Sequence, residues 1–321
     1  LQQLPLGLNY SPESHREGIA TYFRAYLRGF MKEWVNNPQN TKPNGDKYNI
    51  YKDGLKIYTT LDSRMQTFAE SATKEHMTNL QAEFFVQNTP RRNRTAPFLD
   101  LEPEEITDLL NSSMRRSERW RKMKYDLKKP NKEIIASFKK PIPMKIFSWT
   151  AKNNEIDTIM TPLDSMRYYK TFLRSGMMSM NPQTGHVKAW VGGVNYKHFQ
   201  YDMAKQGKRQ VGSTFKPFVY AAAIDQLHLS PCDTFPKSQI TIEAMKHGNM
   251  KPWSPKNSGG NYGGFETLKS ALANSRNTIT ARLMNEIGPQ PVINLARSLG
   301  VEQNIPAVPS IALGTPDLSV Y

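Results

Sequence analysis

The chain has 321 residues, with 43 Lys and Arg against 28 Asp and Glu, for a formal net charge of +15 at pH 7. Such a length allows roughly two domains of about 150 residues and a buried core, and a single cysteine excludes a small disulfide-stapled scaffold. Cys232, in "SPCDTF", has no second Cys or His at metal-ligand spacing and reads as a small packed residue, so neither metal nor cofactor is expected.

No stretch approaches the roughly 20 apolar residues of a membrane span. The opening "LQQLPLGLNYSPES" has neither the cationic nor the apolar region of a signal peptide, so a membrane anchor is expected only outside this chain. Positive charge is densest between Arg91 and Lys152. Nucleic-acid binders share that charge, but no recognition-helix motif, zinc knuckle or aromatic RNA-binding pattern accompanies it, and nucleic acid is not an expected partner. An anionic lipid surface, a cell-wall polymer or plain solvent accounts for the same field.

In chain order, residues 1–45 join a helix, "GIATYFRAYLRGFMKEWV", to a polar linker whose Asn, Pro and Gly supply turns but no core. In residues 46–85, "GLKIYTTLD" alternates like a strand. The helix after it sets Met65, Phe68, Ala69, Ala72 and Met77 near helical period as its inner face. Residues 86–170 read as an insertion or linker with a helical piece at "EPEEITDLLNSSMRRSERWRKM" and strands at "MKIFSW" and "EIDTIM". From 171 to 321, "GMMSMNPQ" and "HVKAWVGG" form a hairpin about "PQTG". A helix then begins near Ser213, a Gly- and Pro-rich loop comes next, and the remainder is mostly helical.

Serine precedes lysine by three residues at Ser71–Lys74, Ser137–Lys140 and Ser213–Lys216. The first lies in mid-helix and the second has no capping signal. Ser213 follows Gly212, and Pro217 is comfortable only in a first helical turn, so both neighbours place a helix start at this serine. Its own backbone N–H is then free to donate to an oxyanion at the positive end of the helix dipole. Lys216 falls on the same face, where a neutral amine can take the serine proton. Bringing lysine from about 10.4 to near 7 asks for about 4 kcal/mol from burial and a nearby second cation. An ordinary capping serine beside a solvated lysine is the bland alternative.

Read together, "AKQGKRQVGSTFKPFVYAAAIDQ" resembles the nucleophile segment of class A, bifunctional penicillin-binding proteins, whose superfamily carries a Ser-x-x-Lys, a Ser-x-Asn and a Lys-Thr-Gly element. The second element fits Ser275-Arg276-Asn277. Ser179-Met180-Asn181 has the same spacing but sits at the hairpin turn and is assigned to structure. "WSPKNSGGNYGGFETL" is similar to the loop leading to the second element, with Trp253, Asn257 and Tyr262 as cleft residues. "MKIFSW" and "TPLDSMRYYKTFLRSG" are similar to forms of the family from Bacteroides-like bacteria.

The resemblance implies an α+β, serine β-lactamase-like transpeptidase fold, an antiparallel sheet with helices. It implies a D,D-transpeptidase in which Ser213 is acylated by the D-Ala-D-Ala carbonyl of a peptidoglycan stem peptide, Lys216 is the base, Ser275 relays the proton and Asn277 holds substrate. β-Lactams are then trapping ligands, and cell-wall regulator proteins are candidate partners. No lysine follows Lys269, so the Lys-Thr-Gly element is expected outside this chain and the domain incomplete at its carboxyl end. "LPLGLNYSPESHREGIATYFRAYLR" is similar to the exit from a glycosyltransferase domain, which implies a membrane-anchored parent at the periplasmic face of the inner membrane. The competing readings are a D,D-carboxypeptidase or β-lactamase, which would hydrolyse the same acyl-enzyme, and a non-catalytic β-lactam sensor or scaffold.

Overall fold

The computed structural model describes residues 17–89 and 91–321. They fall into two compact units, Leu1–Gln206 with Val320–Tyr321, and Gly207–Ser319. The part of the amino-terminal expectation covering residues 1–16 lies outside the described residues. Among the described residues the strands form four separate two-stranded antiparallel ladders rather than one sheet.

In the first unit α1 (Thr21–Asn36) starts three residues later than "GIA" suggests, because Ala20 takes a left-handed φ of 55° and breaks the helical run. The backbone N–H of Ala20 donates to Glu70 on α2 (Ser63–Gln87). Helix α2 is capped by Asp62, which accepts from the amides of Arg64 and Met65. Its inner face, however, is Gln66, Ala69, Thr73, Met77 and Gln81, whereas Phe68 is 72% exposed. The reason is hydrogen bonding: Gln66 exchanges two bonds with the backbone of Trp190, and Gln81 bonds the Thr171 carbonyl and the Leu173 amide. Buried backbone groups must be paired, and two glutamines do that work where an apolar stripe could not.

The expected strand at "GLKIYTTLD" forms no ladder. It is held by Thr60 donating to the Val187 carbonyl and the Asp62 amide donating to that of Lys188. Strands β3 (Met177–Met180) and β4 (Val187–Val191) form the expected hairpin. Asn181 accepts from the amides of Gln183 and Thr184 in its turn, a structural use of the second Ser-x-Asn.

Between these elements lie α3 (Pro103–Arg116), α4 (Glu118–Arg121), a π-turn at Lys122–Asp126, α5 (Asn131–Phe138), the hairpin β1 (Ile142–Phe147) and β2 (Glu155–Met160), and α6 (Pro162–Tyr169). The single helix expected through Met123 is interrupted at Ser117, whose hydroxyl caps α4 through the Trp120 amide. Small apolar clusters hold this region, one made of Met114, Trp120, Ile134 and Phe138.

The second unit is built on α7 (Lys216–Leu227), α8 (Leu268–Ala273), α9 (Asn277–Ile287) and α10 (Pro289–Ser298) around one contiguous core, with Val219, Ala223, Ile279, Leu283 and Ile311 fully buried. Two short ladders flank it, β5 (Arg209–Gln210) with β8 (Asp317–Leu318), and β6 (Thr234–Pro236) with β7 (Phe265–Thr267). Cys232 is exposed rather than packed. It occupies a polar turn in which Ser230 accepts from its amide and Asp233 accepts from that of Ser230, so its side chain is turned away from the core.

Candidate active site

Ser213 sits in a 3-10 turn, Gly212–Phe215, that runs directly into α7. Gly212 makes this entry with φ of 58°. The turn is clamped from behind by a distant segment: the Gly212 amide donates to the Gly314 carbonyl at 2.9 Å and the Val211 amide to that of Pro316 at 3.1 Å. Gly314 has φ of 71°, and a Cβ there would collide with the backbone of Gly212. Ser213 itself is exposed, and its amide makes no backbone hydrogen bond outside its own turn among the described residues.

One helical turn later, Lys216 is fully buried. Its Nζ donates to the Ser275 carbonyl at 2.7 Å, to Ser275 Oγ at 3.0 Å and to Asn277 Oδ1 at 2.6 Å. No carboxylate pairs with it among the described residues. Burial alone pulls its amine down to about 8, since desolvation disfavours the cation. Its three acceptors suit an ammonium with three N–H groups. On deprotonation one of them must become a donor. The carbonyl and Asn277 Oδ1 can only accept, so the Ser275 hydroxyl alone can turn to donate to the nitrogen lone pair. The geometry thus ties the protonation state of Lys216 to the orientation of Ser275.

Ser275 holds a left-handed φ of 53°, a strained state for a residue with a Cβ. Its neighbours supply the restraint. Arg276 Nε lies 2.9 Å from Glu266 Oε2, with both side chains largely buried, and the other Glu266 oxygen accepts from Ser270 Oγ and Asn274 Nδ2. The Ser270 hydroxyl, followed by Asn274 and Arg276, holds the Glu266 carboxyl below the usual carboxylate range against its partial burial. The Glu266–Arg276 pair lies outside the motif positions Ser275 and Asn277. An acid ten residues before a base inside a Ser-x-Asn is the only signal the sequence offers.

Asn277 opens α9 and donates through Nδ2 to the Lys256 carbonyl at 2.7 Å, so both ends of its amide are engaged. Asn257 is buried, bonding the Asn261 carbonyl and exchanging bonds with the amide and hydroxyl of Thr278. It therefore pins the loop to α9. Tyr262, 40% exposed, accepts from the Asn257 amide. Trp253 pairs its backbone with Ile242 and leans on the main core. Ser213, Lys216, Ser275, Asn277 and Asn257 thus all lie in the second unit, Lys216, Ser275 and Asn277 in direct contact. The other two Ser-x-x-Lys pairs lack such surroundings: Ser71 and Lys74 are both exposed, and Ser137 donates to the Ile134 carbonyl. Among the described residues no cluster of His, Cys, Asp or Glu is placed to hold a metal.

Residues 93–173 match the penicillin-binding protein middle domain and residues 175–309 the penicillin-binding protein transpeptidase domain. The chain belongs to the penicillin-binding proteins. Within that family it is similar to penicillin-binding protein 1A of Rickettsia typhi, 27% identical over 310 residues, covering 92% of this chain and 37% of that one. Penicillin-binding protein 1A of Neisseria flavescens is 37% identical over 143 residues, covering 44% of this chain and 18% of that one. The chain therefore spans well under half the length of these relatives. The crystal structure of penicillin-binding protein 1A from Haemophilus influenzae superposes with a TM-score of 0.56 at 22% identity, over 94% of this chain and 44% of that one, a likeness of fold. The middle-domain match at 93–173 overlaps most of the insertion or linker region expected at 86–170.

Proposed function

We propose that this chain is the acyl-transfer part of a class A penicillin-binding protein acting on peptidoglycan. Ser213 Oγ attacks the D-Ala-D-Ala carbonyl of a stem peptide while the neutral Lys216 amine takes its proton. The tetrahedral oxyanion receives the free Ser213 amide. Collapse expels D-alanine, protonated through Ser275, and leaves an acyl ester on Ser213. An amine from a neighbouring stem then attacks that ester, forming the cross-link and returning the proton by the reverse route; water in its place would make the same site a carboxypeptidase. Asn277 and Asn257 act here as positioning residues, the first on Lys216 and the second on the loop at 257–262. β-Lactams acylate the same serine. The parent protein carries glycosyltransferase activity and a membrane anchor on segments other than these, and acts at the outer face of the inner membrane.

The observation that carries this reading is the buried Lys216, unpaired with any carboxylate among the described residues and bonded at once to Ser275 and Asn277, one turn beyond an exposed serine. Intact-mass spectrometry after benzylpenicillin treatment of the parent protein tests it. One adduct on the Ser213 peptide, lost in Ser213→Ala, is expected; an adduct that persists in that variant removes Ser213 from the mechanism.

A further inference from the structure

Between Arg115 and Lys140 the chain carries 11 Lys and Arg against 3 Asp and Glu, more than half of its whole net charge of +15. Among the described residues only one ion pair forms within this stretch, Lys129 with Glu133 at 3.1 Å. Arg121, Lys122, Lys128 and Lys132 are exposed. Charge alone describes any solvated basic face, but two further features do not fit that description.

The first is the π-turn at Lys122–Asp126, closed by the Leu127 amide donating to the Lys122 carbonyl. Trp120 and Met123 pack inward with Ile134 and Phe138. In a regular α-helix Leu127, at i+7 from Trp120 and i+4 from Met123, would fall on that same inward face. The extra residue of a π-turn rotates the next residues by about 100° and turns Leu127 out. The second feature is the result: Tyr125 is 70% exposed and Leu127 56% exposed, set among those lysines. The turn is also held in shape, by the Lys129 amide donating to the Met123 carbonyl and by Lys124 donating to Asn131.

We propose that the turn from Lys122 to Lys132 docks on an anionic bilayer surface, the lysines meeting lipid phosphates and Tyr125 and Leu127 entering the headgroup and acyl boundary. Lysines flanking an amphipathic ring and a leucine are the chemistry of interfacial binding. A soluble polyanion would engage the lysines alone and gives no use to apolar side chains held out of the core. The contact makes no demand on Ser213 and is separable from the acyl-transfer reading.

Vesicle co-sedimentation tests this, using phosphatidylcholine with and without about one third phosphatidylglycerol. The 321-residue wild-type chain is expected on the anionic vesicles only and to be released by high salt. The triple variant K122Q/K128Q/K132Q should bind them about 100-fold more weakly, at about fivefold per lysine. The double variant Tyr125→Ser/Leu127→Ser should lose about tenfold or more while binding dextran sulfate as wild type does. All five positions are exposed, and a denaturant-unfolding transition of the basic region unchanged from wild type in every variant reports that its surroundings stay folded. Absence of wild-type binding to anionic vesicles, or a double variant that binds them undiminished, overturns the proposal; the latter result would leave a site for soluble polyanions.

Discussion

The helices around Lys216 and those between Pro103 and Phe138 bury their side chains differently. The first set converges on one core of 16 buried residues, and a lysine is sealed beside it. The second is held by clusters of three and four buried residues under a densely basic surface. A lowered amine depends on keeping water out, which needs a large, continuous packing unit. A surface that presents charge needs only enough core to hold its shape.

That contrast can be broken first at the lysine. Replacing Lys216 with Met keeps the volume and removes the amine. Acylation by benzylpenicillin should fall about 10³-fold, while the melting temperature stays near that of wild type, the gain from removing a buried amine offsetting the donor lost to Ser275 and Asn277. A melting temperature that collapses would mean Lys216 serves packing more than chemistry. In the basic region, Phe138 is 1% exposed, and Phe138→Ala should cost about 3–5 kcal/mol. Denaturant unfolding should then show an early transition in that region with the rate of Ser213 acylation unchanged.

The smaller effects sharpen the electrostatic side. With the neutral amine of Lys216 as the proposed base, acylation should rise about tenfold per pH unit below its value of about 8 and level off above it. Stability follows the same sign: between that value and about 10.4 the unfolded chain binds more protons than the folded one, so the folded state gains as pH rises. Glu266→Gln removes the charge that holds Arg276, and should lower the acylation plateau about tenfold, the worth of one charged hydrogen bond, with the midpoint unmoved. A shifted midpoint would show Glu266 acting on Lys216 directly instead of through the backbone of Ser275.

Much of the site could be read from residue order because its signals are local. Gly212 and Pro217 bracket a helix start, and Ser275 and Asn277 sit at a fixed spacing before another. The features that escaped depend on distant partners. The amide of Asn257 is taken up by Thr278, 21 residues on, which no loop sequence announces. In α2 the face opposite the exposed Phe68 is the buried one, because Gln66 and Gln81 satisfy backbone groups 90 or more residues away. Periodicity counts apolar residues and misses a glutamine spent that way. Likewise the π-turn at Lys122 moves Leu127 off a face its spacing would assign it to.

The clamp of Gly314 on Gly212 bears on how the protein comes into being. Residues about a hundred positions apart in the chain must meet before the nucleophile turn has its backbone partners, and contacts of such separation carry a loop-closure cost that delays them in folding. During synthesis the serine leaves the ribosome well before the strand that fixes it. The turn that carries Ser213, the proposed nucleophile, is thus assembled late, and in a nascent chain it stays unformed until that closing segment has been made and has docked.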